Sequence, residues 1–354
     1  MSNKAIKTSA FKAAFAISAL ALTGCDTAPG KLKLGEERID PIETRQAIEM
    51  IELIRKVSLN RAGQQQPLKR FNQVKSNGCF DAEFEVNADI PTHFAHGVFA
   101  NSGKLKAKMR FANASKMDDT QGDFRGLAIK INTKQNGLQQ DFLFNSEPAL
   151  FAANPQVFHD FIKAQADDSM MSFALSHLGA TTSLILGLDN PESMFGVQFY
   201  STTPSRLGSD KTQAVKHSIK PCGKVPDYEL NRDDANYLRQ SMIEHLQIEP
   251  ACFEFMVQEQ TNPDTMPIED ASVEWSQNES PFVSIATITI HPQEFTDPQS
   301  MAQCEQMTFN PYNGLPAHQP LGGINRVRKV IYQQLGDYRT EFNRQLSRRK
   351  SLSI

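Results

Sequence analysis

The sequence is poor in cysteine, in tryptophan and in excess charge of either sign. Its 354 residues include five cysteines and one tryptophan, and 37 basic against 40 acidic residues leave a formal net charge of -3. A nearly neutral chain has no electrostatic footprint for nucleic acid, so no such partner is expected. No two cysteines are spaced as C-x-x-C, which argues against zinc and thioredoxin-like motifs. Beyond the first 24 residues no apolar run approaches about 20 residues, so no spanning helix is predicted.

Residues 1–24 are predicted to be a lipoprotein signal peptide. Three lysines (Lys4, Lys7 and Lys12) precede a short apolar run over residues 13–22. The run ends in Leu-Thr-Gly-Cys, which is typical of bacterial lipoproteins in which the cysteine, here Cys25, is acylated. An ordinary signal peptide with an incidental cysteine is the alternative. Asp26 resembles an inner-membrane retention signal, so we expect a lipid-anchored protein on the periplasmic side of a bacterial membrane, with the inner membrane favoured.

Export would place the other four cysteines, Cys79, Cys222, Cys252 and Cys304, in an oxidising compartment. An even number of cysteines there favours disulfides, but four cysteines allow three pairings. Free buried thiols remain the alternative.

The pattern of apolar residues predicts an α+β fold with an antiparallel β-barrel and appended helices. Residues 25–62 are assigned to a tether and an N-terminal helix, 63–346 to the main domain and 347–354 to a polar tail. Alternating apolar residues predict strands, and helical spacing predicts helices over residues 155–189, 233–246 and 325–344. A hairpin is predicted over residues 273–291. Many strands followed by late helices fit a barrel.

The most informative motif is Arg328-x-x-x-Tyr332. Residues i and i+4 share a helix face, so the guanidinium can approach the phenol oxygen. A fixed cation favours the phenolate, and a tyrosinate can ligate a ferric haem. The spacing alone is common by chance, so it needs support from elsewhere in the chain.

That support comes from a second block about 200 residues upstream. It comprises strand-like segments over residues 109–113 and 123–130, the turn Asn145-x-x-Pro148 and the segment Phe158-x-x-Phe161. Together, and in this order, these motifs resemble the catalase pattern, most closely that of the small catalase-like haem proteins. The resemblance covers roughly residues 70–339. It implies a catalase-like barrel, a haem b cofactor, and hydrogen peroxide or an organic hydroperoxide as substrate.

The resemblance also implies roles for particular residues. Tyr332 would be the iron ligand, supported by Arg328, and Arg110 would face a haem propionate. Asn145 would orient the peroxide. Phe158 would pack against the haem plane, with a place in the barrel core as the alternative. Arg125 is expected to be a structural ion-pair partner of Asp123.

The chain departs from the catalase pattern at the distal base. Gln73 stands where the family has a histidine, and glutamine does not titrate near neutral pH. We therefore expect weak catalase activity. His93 and His96 are expected to pack in a loop, with a role as the distal base as the alternative, and His318 is expected to be solvated. Two functions compete: a haem-dependent peroxidase, and a non-catalytic haem-binding or structural lipoprotein. The oligomeric state is left open.

Overall fold

The computed structural model describes residues 31–63, 66–133 and 137–352, with side chains up to Arg349. The predicted signal peptide, Cys25 and Asp26 lie outside the described residues. Residues from Leu32 onward belong to one compact unit.

The described part of the chain contains a closed antiparallel barrel. Its strands are β1 (Lys75–Val86), β2 (Gly103–Asn113), β3 (Arg125–Asn132), β4 (Gln139–Asn145), β5 (Phe199–Tyr200), β6 (Ser205–Arg206), β7 (Ala214–Pro221), β8 (Ala251–Glu259) and β9 (Val283–Ile290). The order around the sheet is β5-β4-β3-β2-β1-β9-β8-β7-β6, and β5 also pairs with β7. Since β5 and β6 both pair with β7, they act as one interrupted strand, and the barrel has eight strand positions. The predicted α+β fold with an antiparallel barrel is confirmed.

Phenylalanine rings fill the barrel interior. Successive side chains of a strand point to opposite faces, so every second residue of β1 points inward. Phe80 and Phe84 meet Phe111, Phe253 and Phe255 there, and all five are at least 99% buried. The rings of Phe80 and Phe111 pack edge to face with centroids 5.8 Å apart. Because side chains fill this interior, a large ligand would have to bind outside the barrel wall.

Seven α-helices surround the barrel in the described part of the chain. They are α1 (Glu43–Ala62), α2 (Pro155–Ala166), α3 (Met170–Ser176), α4 (Leu178–Leu186), α5 (Tyr237–Ile248), α6 (Pro298–Gln306) and α7 (Gly323–Leu352). Helices α1, α2 and α7 share a second apolar core that includes Ile51, Ile162 and Ile331. Among the described helices, none has both the length and the apolar character needed to cross a bilayer.

Two predicted elements differ from the structure. Of the hairpin predicted over residues 273–291, only β9 is a strand. Trp275 is 99% buried, and its indole nitrogen donates to the Pro267 carbonyl, while Gln258 donates to the Trp275 carbonyl. The first arm is therefore held by side-chain packing as a loop. The helical region 155–189 is three helices, α2 to α4, with breaks at residues 167–169 and at His177.

The four described cysteines form two disulfides, so the free-thiol alternative is wrong. Cys79 on β1 is bonded to Cys304 on α6, and Cys222 is bonded to Cys252 on β8. The first disulfide joins the barrel to the segment that precedes α7.

Candidate functional site

Arg328 and Tyr332 lie one turn apart on α7 and are in contact. The Arg328 Nη2 atom donates to the phenol oxygen of Tyr332 at 3.2 Å, and its guanidinium carbon lies 5.1 Å from the ring centroid. Both side chains are partly exposed. The contact predicted from the i,i+4 spacing is present.

The guanidinium of Arg328 is held in place from the barrel side. Its Nη1 atom donates to Asn325 Oδ1 at 3.0 Å and to Thr203 Oγ1 at 3.4 Å. Asn325 is buried, and its amide nitrogen donates to the carbonyls of Pro204 and Leu321. Thr203 and Pro204 lie in the gap between β5 and β6. The interruption of that strand therefore provides the attachment for the helix that carries Tyr332.

The start of α7 is also fixed by an ion-pair cluster. Arg326 binds Glu37 at 2.6 Å, Glu43 at 2.7 Å and Glu269 at 2.8 Å. Partial burial alone would lower the pKa of Arg326, but its hydrogen bonds to Glu43 and Glu269 outweigh that effect and raise the pKa. Three acids around one half-buried guanidinium hold α7 against α1 and the loop after β8.

Gln73 lies just before β1 and has a left-handed backbone, with φ of 57°. Its backbone nitrogen donates to the Ala114 carbonyl at 2.8 Å. Its side-chain amide rests on Gly126 of β3, because a Cβ atom there would lie 2.6 Å from the Gln73 amide carbon. The absence of a side chain at Gly126 therefore leaves room for the side chain of Gln73.

Asn145, at the end of β4, is the cross-strand partner of Gly126. The structure thus brings Asn145 close to the Gly126 backbone on which Gln73 rests. The Oδ1 atom of Asn145 accepts from the backbone nitrogen of Ser146 at 2.8 Å. The amide nitrogen of Asn145 is then the group that can donate to a ligand.

Arg110, on β2, binds Gln73 rather than an acid. Its Nη2 atom donates to the Gln73 carbonyl at 2.9 Å, and Nη1 lies 3.4 Å from the side-chain oxygen. Arg110 is 99% buried, and its Nε atom has no hydrogen-bond partner among the described residues. Burial, and secondly the charge of Arg70, lower the pKa of Arg110 to about 9.

Arg110 belongs to a cluster of three arginines with one acid. Arg70 pairs with the Glu305 carboxylate at 2.9 Å, and Arg339 of α7 donates to the Glu305 carbonyl at 3.0 Å. Burial, followed by repulsion from Arg70, lowers the pKa of Arg339 to about 10. The cluster contains two more cations than anions, so a bound anion would stabilise it.

Sequence reasoning missed Arg70 and Arg339 as members of the site. Both positions carried a signal that could have found them. Arg70 precedes Gln73 by three residues, and Arg339 follows Tyr332 by seven residues, which is two turns along the same face of α7.

Phe158 packs outside the barrel, so the alternative of a place in the barrel core is wrong. It lies on α2 against the core shared by α1, α2 and α7, and its ring centroid is 6.0 Å from that of Phe151. It is partly exposed. This position, on the helix side of the barrel, leaves the role against a haem plane as a prediction.

Two further expectations are wrong. His318 is 98% buried rather than solvated: its Nε2 atom accepts from the Val98 backbone nitrogen at 2.9 Å, and burial lowers its pKa to about 3. Arg125 donates to the Asp189 carbonyl at 2.8 Å rather than pairing with Asp123. The Asp123 carboxylate instead accepts from the backbone nitrogens of Ser115 and Lys116.

Comparisons with known proteins agree with this architecture. Residues 48–202 match the family model described as Catalase. A catalase from the Onchocerca volvulus endobacterium is 24% identical over 272 residues, which cover 69% of this chain and 55% of the relative. The chain therefore spans about half the length of that curated relative.

The fold is that of solved catalases. A fungal catalase matches with a TM-score of 0.64 at 17% identity, covering 90% of this chain and 66% of the catalase. Catalase A from Saccharomyces cerevisiae matches with a TM-score of 0.64 at 21% identity, covering 88% and 67%. A bacterial catalase matches with a TM-score of 0.60 at 18% identity, covering 89% and 64%. Residues 48–202 thus match the catalase family model, and the described part of the chain has the catalase fold.

Proposed function

We propose that this chain is a haem-dependent peroxidase of the catalase-like group, acting on hydrogen peroxide or an organic hydroperoxide with weak catalase activity. The observation that carries the proposal is the pairing of two features on α7: a phenol held by a guanidinium at Tyr332, and a partly buried excess of positive charge around Arg339. A haem b presents an iron that a phenolate can ligate and two carboxylates that arginines can bind.

The residues of the site fit this cofactor. Tyr332 would hold the iron, and Arg328 would stabilise the anionic oxygen that ligation requires. Arg70, Arg110 and Arg339 would hold the propionates, and the unpartnered Nε atom of Arg110 is a donor that a carboxylate would satisfy. When bound, the haem supplies a redox-active iron.

Gln73 supplies no titratable group for proton transfer. Its amide can donate and accept hydrogen bonds but cannot take a proton from peroxide near neutral pH. Asn145 can orient a peroxide through its amide nitrogen. Phe71, two residues before Gln73, packs like Phe158 against the apolar core of α1, α2 and α7. A general base typically contributes about 10²–10⁴ in rate, so the proposal includes slow turnover of hydrogen peroxide.

The contact between Gln73 and Arg110 favours a second candidate function. Since this side chain binds an arginine of the cluster and carries no titratable base, the fold can also serve a non-catalytic haem-binding or structural lipoprotein. The two candidates agree on the haem site and differ in peroxide turnover.

We further propose that the protein is attached to a membrane on the periplasmic side through Cys25. The sequence Leu-Thr-Gly-Cys before the mature region supports acylation, and Asp26 favours the inner membrane. The two disulfides support an exported location, because disulfides persist in oxidising compartments.

The absorption spectrum of the purified protein, together with one substitution, tests the haem site. Tyr332→Phe should remove most of the bound haem or change its ligation spectrum, because phenylalanine has no oxygen to bind iron. Tyr338→Phe is the matched control: it lies on the same helix, and its ring also lies under a guanidinium, that of Arg55 at 4.9 Å. Unchanged haem content and spectrum in Tyr332→Phe would reject this ligand.

A further inference from the structure

Helices α3 and α4 carry an exposed apolar surface that nothing in the described part of the chain covers. We name this surface the α3–α4 face. Helix α4 buries none of its nine residues, and α3 buries only Phe173. The exposed fractions of its large side chains are 74% for Met171, 71% for Leu175, 68% for Leu178, 64% for Ile185 and 77% for Leu186. Apolar patches of this kind mark interaction sites on soluble domains.

The α3–α4 face also has no acidic or strongly basic residue. From Ser169 to Leu188 the sequence contains no Asp, Glu, Lys or Arg, and the flanking charges are Asp168 and Asp189. The one histidine of this stretch, His177, is partly buried. Such a surface offers little ionic complementarity to a protein partner. Its attraction to another surface should therefore depend little on salt.

The hydroxyl groups of both threonines of α4 are directed to backbone carbonyls of α3 and α4. Thr182 Oγ1 donates to the Leu178 carbonyl at 2.9 Å, and Thr181 Oγ1 lies 3.5 Å from the Ala174 carbonyl. Polar groups that are satisfied within their own helices can enter an apolar medium at lower cost. Such a medium cannot itself supply hydrogen-bond partners.

We propose that the α3–α4 face lies in the interface of a lipid bilayer. A nine-residue helix is about 14 Å long, so α4 would rest along the boundary between headgroups and acyl chains. The occupant follows from the lipid anchor proposed above, on which this step rests. Five residues separate Cys25 from Lys31, and this stretch of chain reaches at most about 20 Å. An acyl group on Cys25 would keep the described domain close to a bilayer.

Tryptophan fluorescence of the full, acylated chain bound to phosphatidylcholine vesicles tests the proposal. The background signal is the same in all samples, because the single natural tryptophan, Trp275, is buried and present in each of them. Leu186→Trp places a probe on the α3–α4 face. Ile248→Trp is the matched control, since Ile248 is 66% exposed at the end of α5. Vesicles with brominated acyl chains quench tryptophans that enter the bilayer.

The expected result is strong quenching of the tryptophan at position 186 and little at position 248. Equal and weak quenching at both positions, in protein that floats with the vesicles, overturns the docking of this face and leaves the anchor standing. A tryptophan at 186 that is shielded from acrylamide but not quenched by the brominated lipid assigns the face to a second copy, which also overturns it. Mass spectrometry of the N-terminal residue separately tests acylation of Cys25.

Discussion

Removing the Cys79–Cys304 disulfide should destabilise the fold more than removing Cys222–Cys252. The two bridges close loops of very different length, with sequence separations of 225 and 30 residues. Loop-closure entropy predicts losses of about 5.4 kcal/mol for the first and about 3.6 kcal/mol for the second, a difference of about 1.8 kcal/mol. The double variant Cys79→Ala/Cys304→Ala should therefore show the larger fall in the free energy of unfolding.

The longer bridge has a local consequence that the shorter one lacks. Arg70 donates to the carbonyls of Cys304, Glu305 and Met307, at 3.3, 3.1 and 2.7 Å. Arg339 donates to the Glu305 carbonyl as well. Because Cys304 anchors this segment to β1, its release should also disorder the arginine cluster and weaken haem binding.

Urea unfolding followed by circular dichroism measures the stability difference, and haem titration measures the effect on the site. The variant Cys222→Ala/Cys252→Ala is the control within the same chain, since it removes a disulfide without touching the arginine cluster. Equal stability losses in the two variants, or unchanged haem affinity after removal of the longer bridge, would refute the reasoning.

Two further predictions concern buried and distal groups. Gln73→His should raise hydrogen peroxide turnover by up to about 10²–10⁴-fold, because histidine supplies a base. A turnover rate of the unchanged protein equal to that of true catalases would contradict the assignment of Gln73 to the distal position. Burial lowers the pKa of His217 and of His318 from 6.5 to about 3. As the pH falls below 6.5, the unfolded chain takes up these protons first, so the stability present above pH 6.5 should decrease by up to about 2.7 kcal/mol per pH unit. In urea unfolding, His217→Phe should lower that slope by about 1.4 kcal/mol per pH unit, which is the contribution of one proton. An unchanged slope would count against the burial effect.

The barrel could be predicted because its strands alternate. Phe80, Phe84 and Phe111 each occupy an inward position. The alternation of side chains along a strand places them in the core, regardless of which residues they contact there. The contact between Arg328 and Tyr332 could also be predicted from the sequence, since it depends only on helix geometry. Local periodicity carries information about local structure, and these features are local.

Other features depend on partners that are distant in the chain. Arg70 and Arg339 each have a simple spacing to a predicted site residue, but their meeting around Glu305 depends on tertiary packing. His318 was expected in solvent because it lies in a proline-rich loop, yet its ring packs against Phe99 and Phe142. The burial of Trp275 in a loop rather than a strand has the same origin. In each case tertiary packing overrides what the neighbouring residues suggest.

Among the contacts that fix α7, two lie far apart along the helix, one at Arg326 and one at Asn343, and the contacts of Arg328 and Arg339 lie between them. The first of these two supports is Arg326, and the second is Asn343, which accepts from the Leu68 backbone nitrogen at 2.7 Å and donates to the Leu68 carbonyl at 3.0 Å. The two supports are about 26 Å apart, and Tyr332 lies about 9 Å from the first. A tilt of about 5° about Arg326 would move Asn343 by about 2 Å, enough to break both of its hydrogen bonds, before Tyr332 had moved by about 1 Å. The hydrogen bonds of Asn343 thus add a restraint on the direction of the phenol from a point about 16 Å away along the helix.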